Sequence, residues 1–273
     1  MSLTVTALVE NTAYGTGLKG EHGLSFYIEK DNTVLLFDTG QTGLFLENAE
    51  VLGKDILKAE KVVLSHGHYD HTGGLPALLE KRPDIEIVGH KNAFMPKFSR
   101  SQDGEGREIG IPLSQERISS LNVTECSQVT EVAGGVYTIT DIPRKNYFEE
   151  VGDYFYLNKE CTINDTIEDD LSLVIETEKG IVCLLGCAHA GIANILDYID
   201  EKFPGRKIRA VLGGTHLCSA SGKRLTLTLD ALKKHEIYFF QPGHCTGIKE
   251  TSFFLMQSFV KTEPLCTGTY FTV

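Results

Sequence analysis

The chain has 273 residues, 41% hydrophobic and 23% charged, the make-up of a folded globular protein with one large domain or two small ones. Its formal net charge of −11 argues against a broad nucleic-acid surface, because phosphate binding is driven by Lys and Arg. No apolar run reaches the roughly 18 residues needed to span a membrane, and no basic-then-apolar leader opens the chain, so a cytoplasmic location is expected.

Residues 2–9 alternate and are rich in Thr and Val, the pattern of a strand. A Gly-rich loop follows over 11–22. It lacks the Gly-Lys-Ser/Thr end of a P-loop and the spacing of a dinucleotide fingerprint, so it reads as a rim loop of an active site. Strands at 24–29 and 33–37 flank the Asp31-Asn32 turn as a hairpin. The second ends at Asp38. That carboxylate either orients a neighbouring metal ligand or caps the segment starting at Thr42. A helix is expected over 42–52.

The apolar run Val62 to Leu64 then reads as a buried strand. It stops at Ser65 and is followed by His66-Gly67-His68-Tyr69-Asp70-His71, which holds three of the nine histidines. Thr72-Gly73-Gly74 opens a helix with Leu75, Leu78 and Leu79 on one face, and Pro83 stops it. The cluster therefore lies between the C-terminal end of a strand and a helix, where open α/β architectures place their chemistry. Neutral imidazoles and a carboxylate suit zinc, iron or manganese.

A strand at 85–89 leads to His90, read as a packing residue or a neighbour of the site. Residues 91–118 are polar and aperiodic, and Lys91, Lys97, Arg100 and Arg107 make them locally basic. They read as an insertion or lid, or as a solvated surface loop. Strands are expected at 121–126, 128–132 and 136–140. Residues 143–170 form a second irregular segment. Arg144, Lys145 and Tyr147 open it, and Phe148, Tyr154, Phe155 and Tyr156 follow. Such residues can stack on a flat heterocycle and hold a phosphate, or they can pin a long loop to the domain.

A hairpin at 171–176 and 181–185 ends in Gly186-Cys187-Ala188-His189. His189 follows a buried strand, and the Ala-Gly after it permits close backbone approach, so it is a candidate ligand. Cys187 is a candidate bridging or capping thiolate, which favours zinc or iron over manganese. The other cysteines of the seven read as reduced, mostly buried small hydrophobes. A helix spans 192–199, and a strand at 208–212 ends in Gly213-Gly214-Thr215-His216. His216 can bind metal, hydrogen-bond substrate or donate a proton to a leaving group. A helix at 225–234, a strand at 237–240 ending in Pro242-Gly243-His244, a helix at 251–260 and a strand at 265–273 complete the chain. Strands that alternate with helices and end in polar residues fit an α/β protein, two sheets packed together with helices outside.

His66, His68, Asp70 and His71 match the H-x-H-x-D-H signature and resemble the metallo-β-lactamase fold superfamily. Phe37-Asp38-Thr39-Gly40 resembles its first motif and His244 its last. Four further stretches resemble one branch, the dihydropterin ribofuranosyl-aminobenzene phosphate synthase-like hydrolases. They are Glu21-His22-Gly23-Leu24-Ser25, Gly186-Cys187-Ala188-His189-Ala190-Gly191, Gly213-Gly214-Thr215-His216-Leu217 and Pro242-Gly243-His244-Cys245-Thr246-Gly247.

The resemblance implies a four-layer αββα sandwich of the metallo-β-lactamase type, one domain over 1–273 with the two irregular insertions. It implies one or two divalent metal ions, zinc foremost, with iron or manganese as alternatives. His66, His68 and His189 would hold one ion. Asp70, His71 and His244 would hold a second or orient the reacting water, with Asp70 as general base in a one-metal site. The pattern departs from the superfamily at two stations. Residues 165–170 offer no His where a ligand is usual, and Gly186-Cys187 stands where a bridging Gly-Asp is usual. The expected function is a metal-dependent hydrolase using an activated water on a small, phosphate-bearing heterocyclic or ester substrate, with no nucleic-acid or membrane partner. A mononuclear iron dioxygenase of the same fold and a non-catalytic metal-binding protein are the alternatives.

Overall fold

Successive side chains on a strand point to opposite faces, and both faces of these strands are covered. Val63 lies in an apolar layer with Val5, Phe26 and Ile28 of one sheet and Leu173, Val182 and Leu212 of the other. Its neighbour Val62 faces the other way, into a layer with Leu36 and Ile87 and with Phe45, Leu75 and Leu78 from helices. A third layer sets Val174, Leu185 and Val211 against the helical residues Ile195, Leu196, Leu229 and Phe254. Three buried apolar layers require four layers of elements, helix on sheet on sheet on helix. The fold is the αββα sandwich. The computed structural model describes residues 2–101, 104–149 and 154–273.

The first seven-stranded sheet has the order Tyr270–Thr272, Leu3–Val9, Ser25–Lys30, Thr33–Phe37, Lys61–Val63, Glu86–Gly89, Val123–Glu125. The second has the order Lys261–Thr262, Phe239–Gly243, Ile208–Gly214, Gly180–Leu185, Ser172–Thr177, Val136–Ile139, Val129–Ala133. Thr33–Phe37, Lys61–Val63 and Glu86–Gly89 are parallel. So are Gly180–Leu185, Ile208–Gly214 and Phe239–Gly243. Parallel strands deliver their C-terminal loops to one edge of a sheet, which is how Asp38 and Ser65 are placed on one side of the site and Cys187, His216 and His244 on the other.

The helix at Leu75–Lys81 has the bounds its leucine spacing predicts, and Leu44–Val51 is the first helix. The last helix differs from expectation. It runs Ile248–Leu255, starting behind Gly247 at φ 87°, and the chain beyond it forms the edge strand Lys261–Thr262. The expected strand over 265–273 is confined to Tyr270–Thr272.

The two aperiodic segments hold a feature that the sequence pattern does not show. Phe98–Arg100 pairs with Gly106–Glu108 and with Phe155–Tyr156 to form a third, three-stranded sheet. Strands of two or three residues are too short to display a period of two. Residues 102–103 and 150–153 of these segments lie outside the described residues. Among the described residues no helix is long and apolar enough to cross a membrane.

Candidate metal centre

The histidine cluster begins where the strand Lys61–Val63 ends. Gly67 has no room for a side chain, since a Cβ there would lie 2.1 Å from the Ala93 carbonyl oxygen. Its N–H donates to Asp169 Oδ2 at 2.8 Å, which fixes the turn between His66 and His68. His68 then caps the short helix Tyr69–Thr72 that carries Asp70 and His71. On the other sheet, Ala188, His216 and His244 adopt φ values of 54°, 47° and 50°. Left-handed backbone costs a non-glycine residue on the order of 1–3 kcal/mol and collects at functional sites.

His66, His68 and His189 form the first donor set. His66 Nε2, His68 Nε2 and both ring nitrogens of His189 are buried with no hydrogen-bond partner. One nitrogen from each ring lies within 4.8 Å of the other two. Buried polar atoms are nearly always paired, and a cation is the partner that satisfies three clustered lone pairs. Burial pushes the pKa values of His66 and His189 well below the ordinary imidazole value and that of His68 down to about 3. The rings are thus neutral, the form that binds metal.

Asp70, His71 and His244 form the second set. Asp70 Oδ2 lies 3.2 Å from His244 Nε2 and 3.7 Å from His71 Nε2, and the two Nε2 atoms are 3.1 Å apart. Burial alone would raise the Asp70 pKa, since it disfavours the charged carboxylate. The charge on His71 and hydrogen bonds from His22 and His244 hold it well below the usual carboxylate range. Cys187 Sγ stands 3.2 Å from His71 Nε2. It groups with His66 and His71 on one side and with His189 and His216 on the other, so it touches both sets.

Asp38 is fully buried behind this centre. His71 Nδ1 donates to its Oδ2 at 2.7 Å, and Ser65 donates to it through both Oγ and N–H at 2.7 Å. This leaves His71 Nε2 facing the donors. Burial opposes a charge on His71, but the Asp38 and Asp70 carboxylates outweigh it and lift the ring to about 9. The helix Leu44–Val51 has Gly43 at its N-cap with no side-chain bond, so the capping role is not the one Asp38 takes. Asp38→Ala should therefore lower metal affinity by about 10–100-fold. Competition against a chromogenic chelator measures this, and wild-type affinity would show Asp38 to be idle. On the rim, Asn11 Oδ1 sits 2.9 Å from His244 Nδ1 and His22 Nε2 sits 3.3 Å from Asp70 Oδ2, so the Gly-rich loop borders the site.

A cavity of about 200 Å³ opens over the donors, with Asp70, Cys187, His189, His216 and His244 in its floor. Tyr69, Ser99, Arg107, Ile109 and Phe155 contribute walls. Arg144, Lys145 and Tyr147 do not line it. Arg144 donates to the Ile167 carbonyl at 3.0 Å and borders a separate hollow of about 490 Å³. Lys145 Nζ lies 3.6 Å from Glu201, and Tyr147 is 74% exposed. The reason is a set of bonds to the start of the helix Ile192–Lys202. Asn194 Oδ1 accepts the N–H groups of Lys145 and Asn146, and Glu149 accepts those of Ala193 and Asn194. His90 also lies apart, with Nε2 3.5 Å from Asp141.

Sequence reasoning missed several residues. Cys245 lines the cavity beside His244. Phe155, named with the stacking aromatics of its segment, packs with its ring centroid 4.8 Å from that of His68. Lys97, read as part of a basic lid, is buried between Asp165 and Asp169 at 2.8 and 2.9 Å. The available signal was the acidic run at 165–170, which needs a countercharge if it is buried.

Two facing sheets whose strand ends gather imidazoles, a carboxylate and a thiol over a small cavity define a metal-binding αββα protein. The chain belongs to the metallo-beta-lactamase superfamily, whose family model matches residues 18–156. It is 30% identical to the 7,8-dihydropterin-6-methyl-4-(beta-D-ribofuranosyl)-aminobenzene-5'-phosphate synthase of Methanocaldococcus jannaschii, over 98% of this chain and 95% of the relative. An uncharacterized protein of the same archaeon is 31% identical over 90% of this chain and 91% of its own length. The solved structure of Tm1679, a metal-dependent hydrolase of the beta-lactamase superfamily, superposes with a TM-score of 0.86 at 28% identity and 98% coverage of both chains. Membership implies divalent metal ions, and the unpartnered nitrogens of the first donor set fit one. At the level of the superfamily these relatives support a metal-dependent hydrolase.

Proposed function

We propose that the protein is a zinc-dependent hydrolase of small phosphate-bearing esters, phosphodiesters or phosphate-bearing heterocycles. The observation that carries this reading is the placement of Arg107 in the wall of the cavity above the donors. His66, His68 and His189 would hold a divalent ion, which would supply an acidified water and Lewis-acid polarisation of the bond under attack. Asp70, kept ionised by its neighbours, orients that water and takes its proton. His216, with a buried, unpartnered Nδ1 and its ring centroid 4.4 Å from that of His189, protonates the leaving group. Arg107, 5.9 Å from the Tyr69 ring, offers a planar fork of donors to phosphate oxygens. Phe155 supplies an apolar face for a flat ring.

Three further points support the reading. The archaeal relative is the synthase of a dihydropterin-bearing 5'-phosphate. Imidazole and sulfur donors suit zinc better than manganese. The net charge of −11 and a cavity of about 200 Å³ suit a small molecule better than a long nucleic acid. A panel of phosphodiesters, phosphomonoesters, lactones, thioesters and β-lactams tests it. The highest kcat/KM is expected on a phosphate substrate. Arg107→Glu should raise KM more than it lowers kcat, the mark of lost uniform binding, and Arg144→Glu should match the wild type. A best value on a neutral lactone or thioester, untouched by Arg107→Glu, overturns the reading.

A further inference from the structure

The ends of three adjacent parallel strands bring two cysteines together. Cys187 follows Gly180–Leu185 and Cys245 follows Phe239–Gly243, with Ile208–Gly214 between them. The middle strand ends in Gly213-Gly214. A Cβ on Gly214 would lie 2.7 Å from Cys245 Sγ and 2.3 Å from the Gly186 carbonyl oxygen. A Cβ on Gly213 would lie 2.0 Å from the Leu185 carbonyl oxygen. The bare end of the middle strand therefore lets the outer two loops close over it.

The sulfurs meet in that gap. Cys245 Sγ lies 3.7 Å from the Cys187 carbonyl oxygen and accepts the His216 N–H at 3.2 Å. Cys187 Sγ, Cys245 Sγ and a ring nitrogen of His244 lie within 4.8 Å of one another. Both cysteines are free thiols and both line the cavity. By contrast Cys183, on the strand that leads to Cys187, is packed in the apolar layer under the helices. His189 and His216, which group with Cys187, place the pair at the edge of the histidine centre.

We propose that Cys187 and Cys245, with His244, form a two-sulfur metal position on the second sheet's side of the centre, which takes thiophilic ions such as zinc, cadmium or iron(II) over manganese or magnesium. Each thiol gives up its proton to solvent as the metal–sulfur bond forms, and no redox step is involved. The proposal rests on the reading that the histidines bind metal, but on no particular reaction.

The test loads the metal-free protein with cobalt(II) and records its absorption spectrum. Nitrogen and oxygen ligands give visible bands alone, whereas thiolates add a near-ultraviolet charge-transfer band that grows with their number. The wild type should show both. Cys245→Ser and Cys187→Ser should each cut the charge-transfer band by about half, and the double variant should abolish it and keep the visible bands. Visible bands with no charge-transfer band, or a full band in Cys245→Ser, overturn the cysteine pair and leave the histidine centre standing. Absence of both kinds of band overturns both. Cadmium NMR of the wild type gives a reading that does not depend on how the variants fold. A resonance in the range of two-sulfur sites supports the pair, and one in the all-nitrogen and oxygen range overturns it.

Discussion

Alanine at His66 or His68 should remove the ion held by the first donor set and the activity with it, and leave the chain folded. Each ring contributes a buried Nε2 that has no other partner. Losing one of three donors should cost more affinity than the about 10–100-fold expected when an orienting residue is lost. The fold should survive because neither ring belongs to the three apolar layers. A second consequence separates a ligand from a packing histidine. In the metal-free state the wild type carries an unsatisfied buried nitrogen, which is itself a cost. Metal-free His66→Ala should thus melt within a few degrees of the metal-free wild type, while added zinc should raise the melting temperature of the wild type by more than that of the variant. Metal content by plasma emission, with melting curves in chelator and in zinc, reads both effects. Unchanged metal content in both variants means the donor set is wrong.

The centre was partly legible in the sequence because its chemistry is local there. Four donor side chains fall within residues 66–71, directly after a run of apolar residues, and the leucines at 75, 78 and 79 announce the helix behind them. Asp38 was legible as a carboxylate at a strand end, and its bond to His71 Nδ1 is the contact that such a position allows. What was not legible depends on distant chain. Arg107 and Arg144 are equivalent as sequence, each a base in an aperiodic segment. Bonds involving Asn194 and Glu149 help to hold residues 145–149 against a helix and away from the cavity. Cys245 was hidden for a different reason. His244 and Cys245 lie past the strand Phe239–Gly243, in the single turn His244–Thr246, where no sequence period tells which way a side chain points. His244 adopts left-handed backbone, φ 50°, and both residues line the cavity.

Lys97→Met should destabilise the protein by about 3–5 kcal/mol, the cost of removing one partner from a buried ion pair. The Lys97 side chain is 1% exposed, and those of Asp165 and Asp169 are 6% and 0% exposed. Methionine fills similar space, so the loss is electrostatic: two carboxylates stay buried without a countercharge. The melting temperature should fall by on the order of 10 °C. Lys97→Met combined with Asp165→Asn and Asp169→Asn should recover much of the loss, because paired charges replaced together cost far less than one left alone. Lys97→Met melting with the wild type would show that the ammonium is not buried between the two aspartates in solution. The same cluster connects stability to the site. Lys97 leads into the strand Phe98–Arg100, and Asp165 and Asp169 follow the paired strand Phe155–Tyr156. Asp169 also accepts the Gly67 N–H between His66 and His68. One buried ammonium thus fastens the small sheet bearing Ser99, Arg107 and Phe155 to the loop that presents the first two imidazoles. Metal affinity should therefore fall in Lys97→Met even below its lowered melting point, and the triple variant should restore stability more fully than affinity, since asparagine at 169 is a weaker acceptor for Gly67 than a carboxylate.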